Sequence, residues 1–568
     1  MQLRPYQISA VEQTFAAWRN AQAVLGVAAT GLGKTIALAS ILARHPGRTM
    51  IIAHREELIF QAAQKVKLVT GIEADIEMAD MRAAESSLHG KARVVISTIQ
   101  TQTAGSNGGR MQRFDPHEFG LLIVDEAHHS TAVSFRRAID HYRQNPDLHI
   151  LGVTATPDRA DEEALGQVFD DVAFDYDIRF GIEDGWLVPI VQRSVHVDGL
   201  DLSAVRTTAG DLNGADLASV MEYERNLHEV AAPTIDLTAD GRKTLIFAAS
   251  LAHAERLCEI LNRHRTGCAR WVSGKTPKPE RRQLFDDYAR REFQYLVNVG
   301  VATEGFDDPG ISVIVMARPT KSRALYSQMI GRGTRPVPGC VDDPDMFGSG
   351  AMRREAIASS GKASLEVIDF VGNSGRHRLI TTADVLGGNY SDEVIDRARK
   401  TVERDGQGNV LEKLDEARRQ IREERERAKR EEAKRRAHLI AGAKYRMAVV
   451  DPFDVFGLEP QRERGWNKDR PLTDRMVALL ERQGINTRNL TFTQAKQLIA
   501  EITGRWDAGK CSYKQARVLA SRGLPTSVSQ EKASEWIDAI AQKEGWKSRK
   551  QHRRTEQSVA ATVTAERY

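Results

Sequence analysis

The stretch AVLGVAATGLGKT, residues 23–35, decides the fold at the start of the chain. Its first six residues are apolar, and a glycine-containing turn follows that ends in Lys34 and Thr35. Residues 36–43 continue with the composition of a helix. This order is typical of a phosphate-binding loop, although Ala28 stands where the strictest pattern has glycine. The segment therefore predicts a strand, a phosphate-binding loop and a helix.

The residue types in this loop suit a nucleotide. Thr30, Gly31 and Gly33 let the backbone wrap around a phosphate and turn its N–H groups inward. Lys34 is expected to bridge the β- and γ-phosphates, and Thr35 to ligate Mg²⁺.

A second informative stretch is LLIVDEAH at residues 121–128, where an apolar strand ends in two acids. Asp125 is placed to hold Mg²⁺ at the end of that strand, and Glu126 to polarise the water that attacks the γ-phosphate. Because this stretch follows a phosphate-binding loop, the two together indicate an enzyme that hydrolyses nucleotides.

Short apolar runs recur along the first 390 residues. They lie at 23–28, 49–53, 94–97, 121–124 and 149–153, and again at 244–248, 295–299, 311–317 and 365–370. Runs of this length are typical of parallel strands buried on both faces, with helices between them. We therefore predict an α/β fold with two parallel-sheet domains, at residues 1–190 and 241–390, joined by a connector at 191–240.

The remaining chain is predicted to be mostly helical. A charged helical segment is predicted at 391–445, because residues 411–438 are dense in Arg, Lys and Glu, which is typical of a long solvent-exposed helix. Residues 446–568 contain a weak repeat of about 38–39 residues, in which each unit has a helix, a glycine stop and a second helix. The net charge of +4 resides in residues 541–568, a basic tail that either contacts nucleic acid or is simply solvated.

Composition excludes several classes of protein. The 568 residues are 41% hydrophobic and 28% charged, as in ordinary globular proteins, so full-length disorder is excluded. No apolar run approaches the ~20 residues that a membrane-spanning helix needs. The four cysteines lie far apart without a C-x-x-C pair, which argues against a disulfide scaffold or a cysteine zinc site. A reducing cytoplasm is the expected compartment, and no membrane partner is expected.

The run Asp-Glu-Ala-His at 125–128 resembles the DEAH box of superfamily-2 helicases and translocases. Other segments resemble the remaining motifs of that superfamily, in the same order. They are 3–7 ahead of the loop, 53–58 (motif Ia), 97–101 (Ic), 154–157 (III), 244–250 (IV), 303–307 (V) and 328–335 (VI). The resemblance spans about residues 1–390 and looks closest to the RadD-like and type III restriction-type helicases. Many RadD-like proteins carry a cysteine zinc knuckle, and this sequence has none.

The resemblance implies two tandem RecA-like domains that use ATP and Mg²⁺, and it assigns roles by position. Gln7 would read the adenine with Tyr6 or Arg4 stacking nearby, and Gly305 and Asp307 would approach the nucleotide across the cleft. Arg332 and Arg335 are the candidate arginine fingers, which act only when the cleft between the domains is closed. His128, Thr154 and Thr156 would couple the nucleotide site to motif III. No such role is expected of His129. The nucleic-acid contacts would be Arg55, Thr98, Gln100, Thr101, Ser250 and Thr303.

Three hypotheses about function follow. The first is an ATP-driven helicase or translocase on single-stranded or forked nucleic acid, with DNA preferred and RNA left open. The second is a double-strand translocase or restriction motor subunit that never separates strands. The third is a nucleic-acid clamp without catalysis, and the intact Lys34, Glu126 and Arg332 argue against it. The C-terminal helical repeats are a candidate site for a protein partner.

Overall fold

The structure is a computed structural model of the chain. It describes residues 3–54, 56–83, 91–105, 109–155, 159–208, 210–301, 306–343, 348–375, 377–388, 390–440 and 451–544. The chain divides into two compact units, Met1–Glu431 and Glu432–Tyr568. In the described part, no helix is both long enough and apolar enough to cross a bilayer.

The first domain is built on a parallel sheet. Its strands are β1 (Ala23–Ala28), β2 (Arg48–Ala53), β3 (Ala74–Glu77), β4 (Val94–Thr98), β5 (Phe119–Asp125), β6 (His149–Thr154) and β7 (Asp171–Tyr176). Its helices are α1 (Pro5–Ala17), α2 (Lys34–Arg44), α3 (Glu56–Thr70), α4 (Ile99–Thr103), α5 (Val133–Tyr142), α6 (Arg159–Leu165) and α7 (Ile178–Glu183). The strand order is β3-β4-β2-β5-β6-β1-β7, and every pairing is parallel.

This order brings the predicted chemistry to one edge of the sheet. Strand β6 lies between β1 and β5, with Val27 opposite Thr154 and Asp125 opposite Val153. The phosphate-binding loop after β1, the acids at the end of β5 and Thr154 at the end of β6 are therefore neighbours. In open α/β sheets, ligands bind at this carboxyl edge.

The second domain has a sheet of its own. Its strands and an accompanying hairpin are β8 (Ile190–Asp201), β9 (Thr207–Thr208), β10 (Asp211–Leu212), β11 (Thr244–Ala248), β12 (Ala269–Ser273), β13 (Tyr295–Val299), β14 (Val313–Ala317), β15 (Leu365–Asn373) and β16 (Gln407–Asn409). Its helices are α8 (Gly214–Met221), α9 (Glu224–Leu237), α10 (Leu251–His264), α11 (Lys278–Ala289), α12 (Arg323–Gly331), α13 (Gly350–Ala358), α14 (Thr382–Leu386), α15 (Asp392–Asp405) and α16 (Val410–Ile440). The order is β12-β13-β11-β14-β15-β8-β16, parallel except for β16. The predicted α/β class with two parallel-sheet domains is confirmed.

The connector predicted at 191–240 is corrected by this topology. Strand β8 pairs with β15 from Leu365 opposite Ile190 to Asn373 opposite Asp201, so the start of this segment belongs to the second sheet. Helix α9 packs on the same domain through Leu227, Val230 and Ala231. The other predicted domain boundaries stay predictions.

The charged segment contains helix α16, and only part of this helix is exposed to solvent as its composition predicts. Val410, Leu414, Ala417 and Ile421 follow one another at helical spacing on α16, and all four are buried in the second domain. The side chains of residues 422–428 of the helix are exposed, as the charge pattern indicates.

The C-terminal unit is helical, as predicted. Its helices are α17 (Pro452–Phe456), α18 (Asp474–Gln483), α19 (Phe492–Asp507), α20 (Tyr513–Ala520) and α21 (Gln530–Glu544). Thr473 and Ser512 cap α18 and α20 with their hydroxyl oxygens, and Gly484 and Gly523 follow these helices with φ angles of +81° and +69°. The basic tail beyond residue 544 lies outside the described residues.

Buried His253 on α10 predicts a pH dependence of stability. Its Nδ1 accepts a hydrogen bond from the Ala249 amide at 3.1 Å, and burial lowers its pKa to about 4. An unfolded imidazole has a pKa near 6.5, so as the pH falls below that value the unfolded chain binds the proton first. We expect the free energy of unfolding to fall between pH 6.5 and 4, by up to about 3 kcal/mol from this group.

Urea unfolding of wild type and His253→Asn at several pH values measures this effect. The asparagine oxygen can still accept from Ala249 but does not titrate, so the variant should lose that part of the pH slope. Equal slopes in the two proteins would contradict the assignment.

Candidate active site

The loop between β1 and α2 has the backbone shape of a phosphate cradle. Gly31 and Gly33 have φ angles of +96° and +71°, in the region that favours glycine. Helix α2 begins at Lys34, so its first N–H groups lie beside the loop. A Cβ at position 33 would lie 2.6 Å from the side-chain nitrogen of Gln7, so a larger residue would displace that side chain from the loop.

Residues ahead of β1 hold this loop from behind. The Tyr6 hydroxyl donates to the Leu32 carbonyl at 2.6 Å, and the Gln7 amide donates to the same oxygen at 3.3 Å. Gln7 also accepts from the Arg4 backbone N–H at 3.0 Å. Both side chains are buried, and Tyr6 packs within an aromatic cluster that includes Trp186. The expected stacking role of Tyr6 therefore does not fit, whereas Arg4 is partly exposed and lies 4.7 Å from the centre of the Trp186 ring.

Two carboxylates at the end of β5 face the lysine of the loop. Lys34 Nζ lies 2.5 Å from Glu126 Oε1 and 3.4 Å from Asp125 Oδ1. Burial alone would raise the pKa of Glu126, but Lys34, His128 and Arg332 lower it to about 2. Both Lys34 and Glu126 are therefore ionised at neutral pH, and the lysine is held between two acids.

Glu126 has two further features of a functional carboxylate. Its φ angle is +50°, an unfavourable backbone conformation for a residue with a side chain, and such strain is common at active sites. Its second oxygen, Oε2, is buried, lies 3.4 Å from His128 Nδ1 and accepts no hydrogen bond from the described residues. That oxygen is available to a water or a ligand.

A row of imidazoles extends from Glu126 toward motif Ia. His128 Nδ1 shares a hydrogen bond with Thr154 Oγ1 at 3.1 Å, and burial lowers the pKa of His128 to about 4, so this ring is neutral. The His129 ring lies 4.1 Å from that of His128 and 4.3 Å from that of His54, measured between ring centres. No sequence pattern singles out His129, because its neighbour His54 is remote along the chain. Thr156 lies outside the described residues.

The second domain brings motif VI onto the phosphate-binding loop. A Cβ at Gly331 would lie 2.7 Å from Thr30 Cβ, and one at Gly31 would lie 3.3 Å from Arg335 Cγ. Arg332 donates to the Phe306 carbonyl at 2.7 Å, and its charge is among those that lower the pKa of Glu126. The two domains thus meet at the loop, with both arginines at the junction.

Arg335 is also fixed by its neighbours in the second domain. Its guanidinium forms an ion pair with Asp307, a predicted nucleotide contact. Its backbone carbonyl accepts from Lys362 Nζ at 2.7 Å. Gly305, the other predicted contact in that loop, lies outside the described residues.

The predicted nucleic-acid contacts differ in how accessible they are. Thr98 and Thr101 are buried, and they bond to each other at 2.8 Å between their hydroxyl oxygens. Gln100 is exposed and donates to the His54 carbonyl at 3.1 Å. Ser250 caps α10 and donates to Glu222 Oε1 at 2.5 Å. Arg55 and Thr303 lie outside the described residues.

An ion pair crosses between the domains beside these residues. Lys278 Nζ, at the start of α11, lies 2.8 Å from Glu56 Oε1, at the start of α3. Both side chains are exposed, so the pair contributes at most about 1 kcal/mol. It is a weak contact that can open when the domains move.

Two segments of the chain match known sequence families. Residues 1–159 match the family described as type III restriction enzyme, res subunit, and residues 225–336 match the helicase conserved C-terminal domain. These two matches, with the motifs in order, make this part of the chain similar to superfamily 2 of the helicases.

Several proteins are similar to this one over more than half of the chain. IRC3 of Saccharomyces cerevisiae, which bears the name of an ATP-dependent helicase, is 32% identical over 59% of this chain and 49% of its own length. The DNA 3'-5' helicase XPB of Kineococcus radiotolerans is 26% identical over 59% of this chain and 57% of its own. The type I restriction enzyme EcoAI endonuclease subunit of Escherichia coli is 26% identical over 58% of this chain and 44% of its own length. The chain thus spans about half the length of these relatives.

Proposed function

We propose that this chain is an ATP-driven motor that acts on nucleic acid, with DNA as its substrate. The observation that carries the proposal is the junction between the domains, where Gly331 and Arg335 of the second domain lie against Thr30 and Gly31 of the first. A nucleotide on the loop would contact both domains, so binding and hydrolysis would change how they meet. This is the way in which hydrolysis becomes coupled to domain motion.

The residues at the loop fit a nucleotide with Mg²⁺. In this proposal Lys34 holds the β- and γ-phosphates, and Thr35 and Asp125 supply oxygen donors, which Mg²⁺ prefers. The described residues contain no group of three or more His, Cys, Asp and Glu able to hold a metal. That suits Mg²⁺, which usually keeps waters and phosphate oxygens among its ligands. When bound, the ion would neutralise charge on the phosphates.

The chain's own groups would then divide the chemistry. Glu126, whose Oε2 accepts no hydrogen bond from the described residues, would orient the attacking water and take its proton. Arg332 and Arg335 would stabilise charge on the transferred phosphoryl group from the opposite domain. The neutral His128, bonded to Thr154, would transmit the state of this site to motif III.

Nucleic acid would contact Gln100 of the first domain and Ser250 of the second. Thr98 and Thr101 would shape the turn rather than contact the backbone, because both are buried. DNA is preferred because XPB bears the name of a DNA helicase and the EcoAI subunit that of a restriction endonuclease. The C-terminal unit, with its own hydrophobic core, remains the proposed site for a protein or nucleic-acid partner.

A duplex translocase that does not unwind is the second candidate. It is favoured by the match of residues 1–159 to the type III restriction family. The two candidates share the whole ATP site and differ only in whether strands are separated.

Hydrolysis of ATP in the presence of single-stranded DNA, duplex DNA or RNA tests the proposal. We expect single-stranded DNA to stimulate the rate most, and Lys34→Ala to abolish hydrolysis with every substrate. Lys67→Ala, which removes an exposed lysine of α3, should leave the rate unchanged. Hydrolysis that survives Lys34→Ala, or that responds to no nucleic acid, would contradict the motor. Stimulation by duplex DNA without separation of a labelled fork would select the second candidate.

A further inference from the structure

Lys362 is a buried lysine that lies outside every motif of the superfamily. It occupies the turn between α13 and β15, and only 3% of the residue is exposed. Its Nζ donates to the Pro309 carbonyl at 2.8 Å and to the Arg335 carbonyl at 2.7 Å. One ammonium thus joins the turn after motif V to the loop of motif VI.

The loop that carries Arg335 is held at two successive carbonyls. The Thr334 carbonyl accepts from the Val188 amide at 2.8 Å, and the next carbonyl, that of Arg335, accepts from Lys362. These two bonds restrain the backbone at Arg335. The ion pair with Asp307 restrains its side chain. Its side chain is thereby kept beside Gly31 of the phosphate-binding loop.

The surroundings of Lys362 are those of a functional group rather than a packing residue. Burial and the charge of Arg335 lower the pKa of Lys362, whereas Asp308 and Asp307 raise it. The net result is a pKa of about 7. An apolar side chain would fill the same space without this desolvation cost. Perturbed groups of this kind cluster at functional sites.

We propose that Lys362 is a positioning residue for Arg335, which it holds at the phosphate-binding loop by bonding its carbonyl and that of Pro309. The inference rests on the proposed function, in which Arg335 acts on the phosphoryl group. Lys362 acts through Arg335 and touches no reacting atom.

The test compares kcat and KM for ATP in Lys362→Met, Lys362→Arg and Arg335→Ala, and in the double variant Lys362→Met with Arg335→Ala. Small displacements of a catalytic group can cost up to about 10²-fold in rate, so Lys362→Met should lower kcat by about 10–10²-fold with little change in KM. Lys362→Arg, which can still donate to both carbonyls, should recover most of that loss. In the Arg335→Ala background, Lys362→Met should add less than about twofold, because residues that act through one another are not additive.

Thr238→Val is the control for general weakening of the second domain. The buried Thr238 hydroxyl bonds to the Thr234 carbonyl and to Tyr295 rather than to either loop, so its loss should lower the unfolding temperature but not kcat. If Lys362→Met does not fold, Lys362→Gln, which keeps N–H donors on a shorter chain, takes its place and should lower kcat less. Full additivity with Arg335→Ala, or an unchanged kcat in a folded Lys362 variant while Arg335→Ala is impaired, would overturn the inference. Full activity of Arg335→Ala would instead overturn the role of Arg335 in the proposed function.

Discussion

Replacing Arg332 by alanine is expected to lower the maximal rate of ATP hydrolysis by about 10³–10⁵-fold, the range found for arginine fingers. ATP binding should change far less. A finger stabilises charge that develops only in the transition state, so its loss appears in kcat rather than in affinity. Steady-state hydrolysis and binding of a fluorescent nucleotide, measured on the same preparation, separate the two quantities.

The structure predicts that Arg332 matters more than Arg335. Arg332 is close enough to Glu126 to lower the pKa of that carboxylate, and it donates a hydrogen bond to the neutral carbonyl of Phe306. Arg335 is already paired with Asp307, a charged partner with which a phosphate would have to compete. Arg335→Ala should therefore also reduce kcat, but by a smaller factor.

Arg332→Lys is the matched variant for this prediction. It keeps the positive charge but loses the planar fork, so it should recover only a small part of the rate. An Arg332→Ala protein with unchanged kcat and a raised KM would show that Arg332 only binds nucleotide, and the assignment as a finger would be wrong.

The strands that could be predicted from the sequence are those buried on both faces. Residues 23–28, 244–248 and 295–299 were predicted with the bounds that the structure has, because an apolar run is needed wherever helices cover both sides of a sheet. The strands that were missed lie at or next to sheet edges. β3, β7 and β12 are edge strands, and β8 lies next to the edge strand β16. Their exposed positions accept polar residues, so their sequences read as loops or as a connector.

The same distinction applies to the active site. Lys34, Thr35, Asp125 and Glu126 could be predicted because each sits in a short segment whose local shape is fixed by its neighbours in sequence. His129 and Lys362 could not be predicted, because their contacts come from remote residues, His54 in one case and Pro309 and Arg335 in the other. The engagement of Gln7 and Tyr6 with Leu32 likewise depends on the fold rather than on the motif.

Replacing Glu126 by glutamine should lower the rate of hydrolysis by about 10²–10⁴-fold, the usual contribution of a general base, while ATP still binds. Glutamine has the same shape but cannot accept the proton of the attacking water. Single-turnover hydrolysis and nucleotide binding, measured side by side, check both halves of this prediction. Asp125→Asn is the matched control, because it makes the same change of acid to amide in the neighbouring residue. Since Asp125 is the proposed Mg²⁺ ligand, this variant should instead require a higher Mg²⁺ concentration for activity.

The contact with Lys34 adds a second expectation for Glu126→Gln. In the structure Glu126 holds Lys34 at 2.5 Å, and this cation is the main reason why its pKa is as low as about 2 despite burial. A carboxylate with so low a pKa is a poor base, so Glu126 gains basicity only when Lys34 turns toward a phosphate. Glutamine competes less for Lys34, so the variant should bind ATP at least as tightly as wild type. Weaker binding together with near-normal turnover would mean that Glu126 positions Lys34 and is not the base.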